Sequence, residues 1–179
     1  MPIREGAVVR AKKIKCVILD VDGVLTDGGI YAAPDGSELF KPFFALDGLA
    51  VSLARKVGLM TAIITGRASS IVANRAKELH IDLVYQGCLD KRASYADIRK
   101  KTGFTDEEIA YVGDDIVDLP IMCAVGDAVP EVKEIAQIIA VQPGGRGAVR
   151  EIYEIILKTQ GLWDRVLTAF QNDAGDAVQ

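Results

Sequence analysis

The chain has 179 residues, half of them hydrophobic, with 21 basic and 25 acidic side chains and a formal net charge of -4. That is enough apolar material for one domain with a real core, expected over 1–179 with the core at about 14–158 and a C-terminal helix and tail at 159–179. No basic patch, no apolar run near the ~18–20 residues of a membrane span and no secretion-signal pattern stand out, which excludes nucleic acid and membrane as expected partners and predicts a cytoplasmic protein.

Residues 1–13 read as a loose lead-in. Cys16-Val17-Ile18-Leu19 is apolar without alternation, the pattern of a strand buried on both faces, so the first strand is expected at about 15–20. It runs into Asp20-Val21-Asp22-Gly23. Two acids at i and i+2 repel each other, and burying them uncompensated is costly, so something positive must sit there. Pro34-Asp35-Gly36 is a turn signal between two short strand-like runs and predicts a β-hairpin over 28–41. Phe40, Phe43 and Phe44 follow, more aromatic surface than a hairpin buries alone.

Asp47 begins a helix expected at 46–57, with Leu49, Leu53 and Val57 at helical spacing and Gly58 as its stop. A second buried strand at 59–64 ends at Thr65-Gly66-Arg67. Ser69 or Ser70 caps a helix to about 79. Then come a strand at 81–85, a helix at 90–102 and a strand at 109–112 ending at Gly113-Asp114-Asp115. A short helix at 116–123, a strand at 124–125, a helix at 130–136 and a strand at 138–141 follow. Gly144-Gly145-Arg146-Gly147 reads as a flexible loop. Helices at 148–158 and 161–170 and a frayed last nine residues complete the chain. The alternation predicts an α/β fold, Rossmann-like and doubly wound, with a mainly parallel sheet.

In such a sheet the strand ends share one edge, and residues far apart in sequence converge there. The converging set is Asp20, Asp22, Thr65, Arg67, Lys91, Asp114 and Asp115. It suits phosphoryl transfer. A hard cation such as Mg²⁺ takes carboxylates, carbonyls and water, and offsets the repulsion between the acids and a phosphate. Asp20 can attack phosphorus, and Asp22 can protonate the leaving oxygen and later deprotonate water. Thr65 and neighbouring N–H groups, including that of Gly66, can hold phosphoryl oxygens, and Lys91 can balance charge. The single histidine, His80, has no nucleophile motif around it. The three cysteines, Cys16, Cys88 and Cys123, form no CxxC pair and are expected as reduced thiols.

This order of motifs resembles the haloacid dehalogenase superfamily of phosphohydrolases. The matching residues are Asp20-Val21-Asp22-Gly23-Val24, Thr65, Lys91 and Gly113-Asp114-Asp115-Ile116-Val117-Asp118. The resemblance implies that Asp20 is the nucleophile and Asp22 the acid/base. It also implies a Mg²⁺ ion held by Asp20, the Asp22 main-chain oxygen and Asp114, with Asp115 and Asp118 in supporting or helix-capping roles. The spacings between Asp20, Thr65 and Lys91 leave no room for an inserted cap domain. The hairpin, Phe44-Ala45-Leu46-Asp47-Gly48, Gln86-Gly87-Cys88-Leu89-Asp90-Lys91 and Gly144-Gly145-Arg146-Gly147 are similar to the capless 3-deoxy-D-manno-octulosonate 8-phosphate phosphatases. That likeness implies an acidic sugar phosphate substrate in lipopolysaccharide precursor synthesis and a homotetramer joined through the 28–41 hairpins. It further implies a mobile tail at 144–147, Gly48 allowing close backbone approach to substrate, and Arg67 with Arg75 meeting the sugar's negative charge.

Two features depart from the pattern: Ile116-Val117-Asp118 after the acid pair, and a longer tail beyond Arg150. A nine-carbon sialic-acid-like 9-phosphate is the main rival substrate. A receiver-type domain also accepts phosphate on an aspartate, but its acid pair lies on another strand. A non-catalytic oligomerisation module would not need the complete motif set.

Overall fold

All four residues of strand β1 (Cys16–Leu19) are buried, because the strand is paired on both sides and covered on both faces. The computed structural model describes residues 4, 6–118 and 123–176. The other strands are β2 (Met60–Ile64), β3 (Leu83–Tyr85), β4 (Ile109–Gly113), β5 (Cys123–Ala124) and β6 (Ile138–Ile139). They form one all-parallel sheet in the order β3-β2-β1-β4-β5-β6. The chain leaves β1 for β2 on one side and later returns to place β4 on the other. That reversal makes a crevice at the carboxyl ends of the strands. Leu19 lies opposite Ile63 on β2 and Val112 on β4, so Asp20, Thr65 and Asp114 leave the sheet at nearly one level.

The helices are α1 (Ala7–Ala11), α2 (Ala45–Lys56), α3 (Ser70–Glu78), α4 (Lys91–Thr102), α5 (Pro130–Ile135), α6 (Ala148–Thr159) and α7 (Trp163–Asp176). On α6, Val149, Ile152, Tyr153 and Ile156 are buried at spacings of three and four, which points one stripe at the sheet. The Tyr153 hydroxyl shares a 2.6 Å hydrogen bond with Thr61, fixing α6 to β2. The amino terminus of α6 follows Gly147 and has no side-chain cap of its own. Asp47 on α2 fills that role. Its carboxylate accepts the N–H groups of Gly147 at 3.2 Å and Arg150 at 2.8 Å. Burial pushes the Asp47 carboxyl up, against the effect of these two bonds.

Several elements differ from expectation. The lead-in is not loose: Ala7 and Ala11 of α1 are fully buried. The 28–41 segment makes only one antiparallel bridge, Ala32 with Glu38, closed by Ala33 N–H to Ser37 and Leu39 N–H to Tyr31. A strand pair with no third strand beside it has little to stabilise a longer ladder. In place of the 116–123 helix, Ile116–Asp118 forms one 3₁₀ turn, and 119–122 lie outside the described residues. The last helix continues to Asp176. The 144–147 loop is packed rather than free. Gly144 N–H donates to Asp127 at 2.8 Å and Gly145 N–H to the Val24 carbonyl at 2.9 Å, and a Cβ on Gly144 would collide with the Gly23 carbonyl. No helix among the described residues is long and apolar enough to cross a membrane. The three cysteines are free thiols, with Cys16 and Cys123 buried.

Asp47→Ala leaves two N–H groups at the head of α6, one buried and one part-buried, without their acceptor. The expected cost is about 1–3 kcal/mol in urea unfolding at unchanged m-value. A loss under about 0.5 kcal/mol, the range of an ordinary surface change, would contradict the capping role.

Candidate active site

Asp20 is the first residue beyond β1 and is buried. One carboxylate oxygen accepts the Val21 N–H at 2.7 Å, and the other pairs with Lys91 Nζ at 2.9 Å. Lys91 opens α4 behind its capping residue Asp90. A buried cation at a helix amino terminus opposes the helix dipole, so it needs anions. It has two, Asp20 and Asp118, which it bridges. Burial alone would push the Lys91 ammonium down, but the two carboxylates outweigh it and hold it above its ordinary value.

Asp118 is the hub behind this pair. Its carboxylate takes Lys91, the Tyr111 hydroxyl at 3.2 Å, and the N–H groups of Asp114 at 3.2 Å and Asp115 at 3.4 Å. It therefore shapes the loop after β4 and presents Asp114. Gly23 makes room for Asp114: its φ is +87°, and a Cβ there would collide with the Asp114 carboxylate.

One oxygen each from Asp20, Asp114 and Asp118 lie within 4.8 Å of one another. Burial and this repulsion show in the protonation of Asp20 and Asp114. Burial first, then Asp118, raises the Asp20 carboxyl from 3.8 to about 6, against the pull of Lys91. Burial first, then Asp20, Asp118 and Asp115, raises Asp114 from 3.8 to about 7. A hard divalent cation relieves this strain, and an all-oxygen donor set suits one. Because Asp118 is already committed to Lys91, Tyr111 and two N–H groups, Asp20 and Asp114 are the carboxylates fitted to hold it.

The Asp22 side chain is not part of that cluster. One oxygen pairs with Lys41 and the other faces Arg67 Nε at 3.9 Å. Thr65 is buried at the end of β2, with its N–H donating to the Tyr85 carbonyl at 2.9 Å and its carbonyl accepting from Cys88 at 3.0 Å. Space is open above Gly66, where a Cβ would find nothing closer than 4.0 Å. Arg67 is exposed beside Asp22. Gly48 and Arg75 are brought to each other instead of to the carboxylates. The Arg75 guanidinium fills the space a Gly48 side chain would need, pairs with Glu78 at 2.8 Å and lies 5.7 Å from the Phe43 ring centre. Lys41 was not singled out by sequence. The available signal was a lone cation inside Phe40-Lys41-Pro42-Phe43-Phe44.

Asp20 and Asp114 bind protons more tightly in the folded chain than in the unfolded one. Their contribution to stability is full below about pH 4 and is lost as pH rises through about 6 and 7. Chelator-treated protein is therefore expected to unfold at falling temperature between about pH 5 and 7.5. Added Mg²⁺ should restore more at the upper pH, since cation and proton compete for the same carboxylates. Asp114→Asn should flatten both trends, and a chelated protein equally stable across this window would refute the account.

No family model matches the chain. A curated relative, the 3-deoxy-D-manno-octulosonate 8-phosphate phosphatase KdsC of Escherichia coli K12, is 40% identical over 169 residues, covering 91% of this chain and 89% of its own. A haloacid dehalogenase superfamily (subfamily III A) hydrolase from Legionella pneumophila superposes with a TM-score of 0.88 at 40% identity, covering 93% of this chain and 94% of its own. The 3-deoxy-D-manno-octulosonate 8-phosphate phosphatase of Moraxella catarrhalis, solved with a magnesium ion, a phosphate ion and a KDO molecule, gives 0.88 at 37% identity, with 93% and 99% covered. With a parallel sheet whose carboxyl edge gathers Asp20, Thr65, Lys91 and Asp114, and with these relatives along nearly its whole length, the chain belongs to the 3-deoxy-D-manno-octulosonate 8-phosphate phosphatase family of the haloacid dehalogenase superfamily.

Proposed function

We propose that the chain hydrolyses 3-deoxy-D-manno-octulosonate 8-phosphate to the free sugar acid and inorganic phosphate, as a Mg²⁺-dependent step of lipopolysaccharide precursor synthesis. The observation that carries this reading is Asp20, bridged by Lys91 to Asp118 and set beside Asp114, in a chain 40% identical to a curated phosphatase for this sugar.

Asp20, the Asp22 main-chain oxygen and Asp114 would hold Mg²⁺, which would supply positive charge to offset the carboxylates and the phosphoryl group. The Asp20 carboxylate attacks phosphorus and the bond from phosphorus to the sugar oxygen breaks. Asp22 gives its proton to that oxygen, so the sugar acid leaves as an alcohol. Water then attacks the phosphorus of the aspartyl phosphate while its proton passes to Asp22. The bond between phosphorus and the Asp20 oxygen breaks, releasing phosphate and restoring both side chains. Lys91 balances charge on Asp20. Thr65 and the N–H of Gly66, just before α3, hold phosphoryl oxygens. Arg67, exposed beside Asp22, is assigned to the sugar carboxylate. The mutual packing of Gly48 and Arg75 supports a role for both in holding α2 against α3.

The working form is a cytoplasmic homotetramer joined through residues 28–41. Ile30, Leu39 and Phe40 support this, being 54%, 58% and 50% exposed on that segment. Between β1 and β2 the chain forms only this segment and α2, so cover for the site has to come from elsewhere.

Phosphate release from the octulosonate 8-phosphate tests the chemistry. Asp20→Asn is expected to lower kcat by roughly 10⁴-fold or more, the scale of losing a nucleophile. A variant that kept its rate would remove Asp20 from that role, and a higher kcat/KM on the nine-carbon 9-phosphate would overturn the substrate. Sedimentation tests the assembly. A four-chain mass is expected, falling when Leu39 and Phe40 are changed to Glu, whereas a monomeric wild-type mass would contradict it.

A further inference from the structure

Lys41 belongs to none of the motifs that mark the superfamily, yet its side chain is only 3% exposed. A buried ammonium is costly unless it is paired and hydrogen-bonded, so its partners show what it is held for. One is Glu38, at 3.1 Å. Glu38 also accepts the Ser69 hydroxyl, and Ser69 caps α3 by accepting the Val72 N–H at 3.2 Å while its own N–H donates to Gln86 at 2.8 Å. The base of the 28–41 segment is thus tied to the helix that follows Thr65-Gly66-Arg67. The other partner is Asp22.

That second pairing is unequal across the two Asp22 oxygens. Oδ1 is held by Lys41, while Oδ2 faces Arg67 Nε at 3.9 Å, beyond hydrogen-bond reach. Asp22 sits on the turn before Gly23, outside β1, and its carboxylate meets Lys41 and Arg67 and is not one of the Asp20, Asp114 and Asp118 group. A proton carrier has to lie within hydrogen-bond reach of its target, and small misplacements cost rate.

We propose that Lys41 is a positioning residue for phosphoryl transfer: it fixes Asp22 through Oδ1, leaving Oδ2 to carry the proton to the leaving oxygen. This rests on the assignment of Asp22 as acid/base. Lys41 acts through Asp22, not on the phosphate, and Glu38 and Ser69 hold Lys41 in turn. The same contacts couple the segment proposed to join subunits to the proton-transfer step.

The test is the dependence of kcat/KM on leaving-group basicity across aryl phosphates of similar size, from p-nitrophenyl to phenyl phosphate. This quantity reports the step in which the leaving oxygen departs. A good leaving group departs without a proton, and a poor one needs it. Asp22→Asn supplies the reference for lost acid catalysis. Lys41→Met is expected to move toward that reference, with the phenyl to p-nitrophenyl ratio of kcat/KM falling at least tenfold, inside the ~10²–10⁴ range of general acid–base catalysis. Lys41→Gln, of similar reach but neutral, should show the same direction and carries the test if the Met variant does not fold. A ratio equal to that of wild type in a folded variant overturns the proposal, whether activity falls in parallel across the series or only KM for the sugar phosphate rises. Failure of the wild-type chain to hydrolyse the sugar phosphate would instead defeat the substrate assignment, and the aryl series would still report on Lys41.

Discussion

The structure is organised by unrelieved negative charge at one edge of the sheet. Asp20, Asp114 and Asp118 bring carboxylate oxygens within 4.8 Å of one another, with Asp22 close by on the first turn. Like charges at that range, out of water, oppose folding unless something positive meets them. Two lysines do so. Lys91 rises from α4 to bridge Asp20 and Asp118, and Lys41 comes from the segment before α2 to bridge Asp22 and Glu38. In each case the cation is shared between an acid proposed to react and a second acid, Asp118 or Glu38, that also ties the neighbouring backbone or helix cap in place. The second acid takes up the lysine's freedom, so the first is held in one place.

The rest of the chain keeps this edge in register. Parallel pairing on both sides of β1 sets Asp20 level with its neighbours. The turn at Gly23 admits the Asp114 carboxylate on one side and the backbone of Gly144 on the other. The 144–147 loop is in turn anchored because Asp47 on α2 caps α6. Asp47 stands six residues beyond Lys41, so the stretch between β1 and α2 carries both a hold on the chemistry and a hold on the back of the site.

What the sequence made legible was whatever depends on periodicity and on strand ends. The unbroken apolar run into Asp20, the Thr65-Gly66-Arg67 end and the Gly113-Asp114-Asp115 end each predict their place, because a parallel sheet forces its carboxyl ends together. Asp118 and Lys41 were less legible because their roles depend on partners 27 and 19 residues away, Lys91 and Asp22. The hairpin was read from a sound turn signal, yet the flanking residues find no third strand, so one bridge is all that forms. The lead-in looked loose because five residues of α1 are too short to show a helical period. It is ordered by burying Ala7 and Ala11, which is tertiary packing and not propensity. Gly48 and Gly144 read as freedom for substrate or for motion. In the fold the Gly23 carbonyl leaves no room for a side chain at Gly144, and the Arg75 guanidinium occupies the space beside Gly48.

The distribution of cations also bears on the proposed place of the metal. Lys91 serves Asp20 and Asp118, Lys41 serves Asp22 and Glu38, and Arg67 stands at the outer side of Asp22. Among the described residues Asp114 alone of the clustered acids has no ion pair, and its carboxyl is raised the furthest, to about 7 against about 6 for Asp20. A cation added to this edge gains most where the charge is least answered, which is between Asp114 and Asp20. A third lysine there would meet the charge but would fill the space in front of Asp20 that the phosphoryl group has to enter. A small ion with exchangeable water positions answers the same charge and leaves that approach open. On the proposed mechanism, the two buried lysines and the unpaired Asp114 carboxylate are one arrangement: fixed charge where an acid is held still, and exchangeable charge where the phosphoryl group would enter.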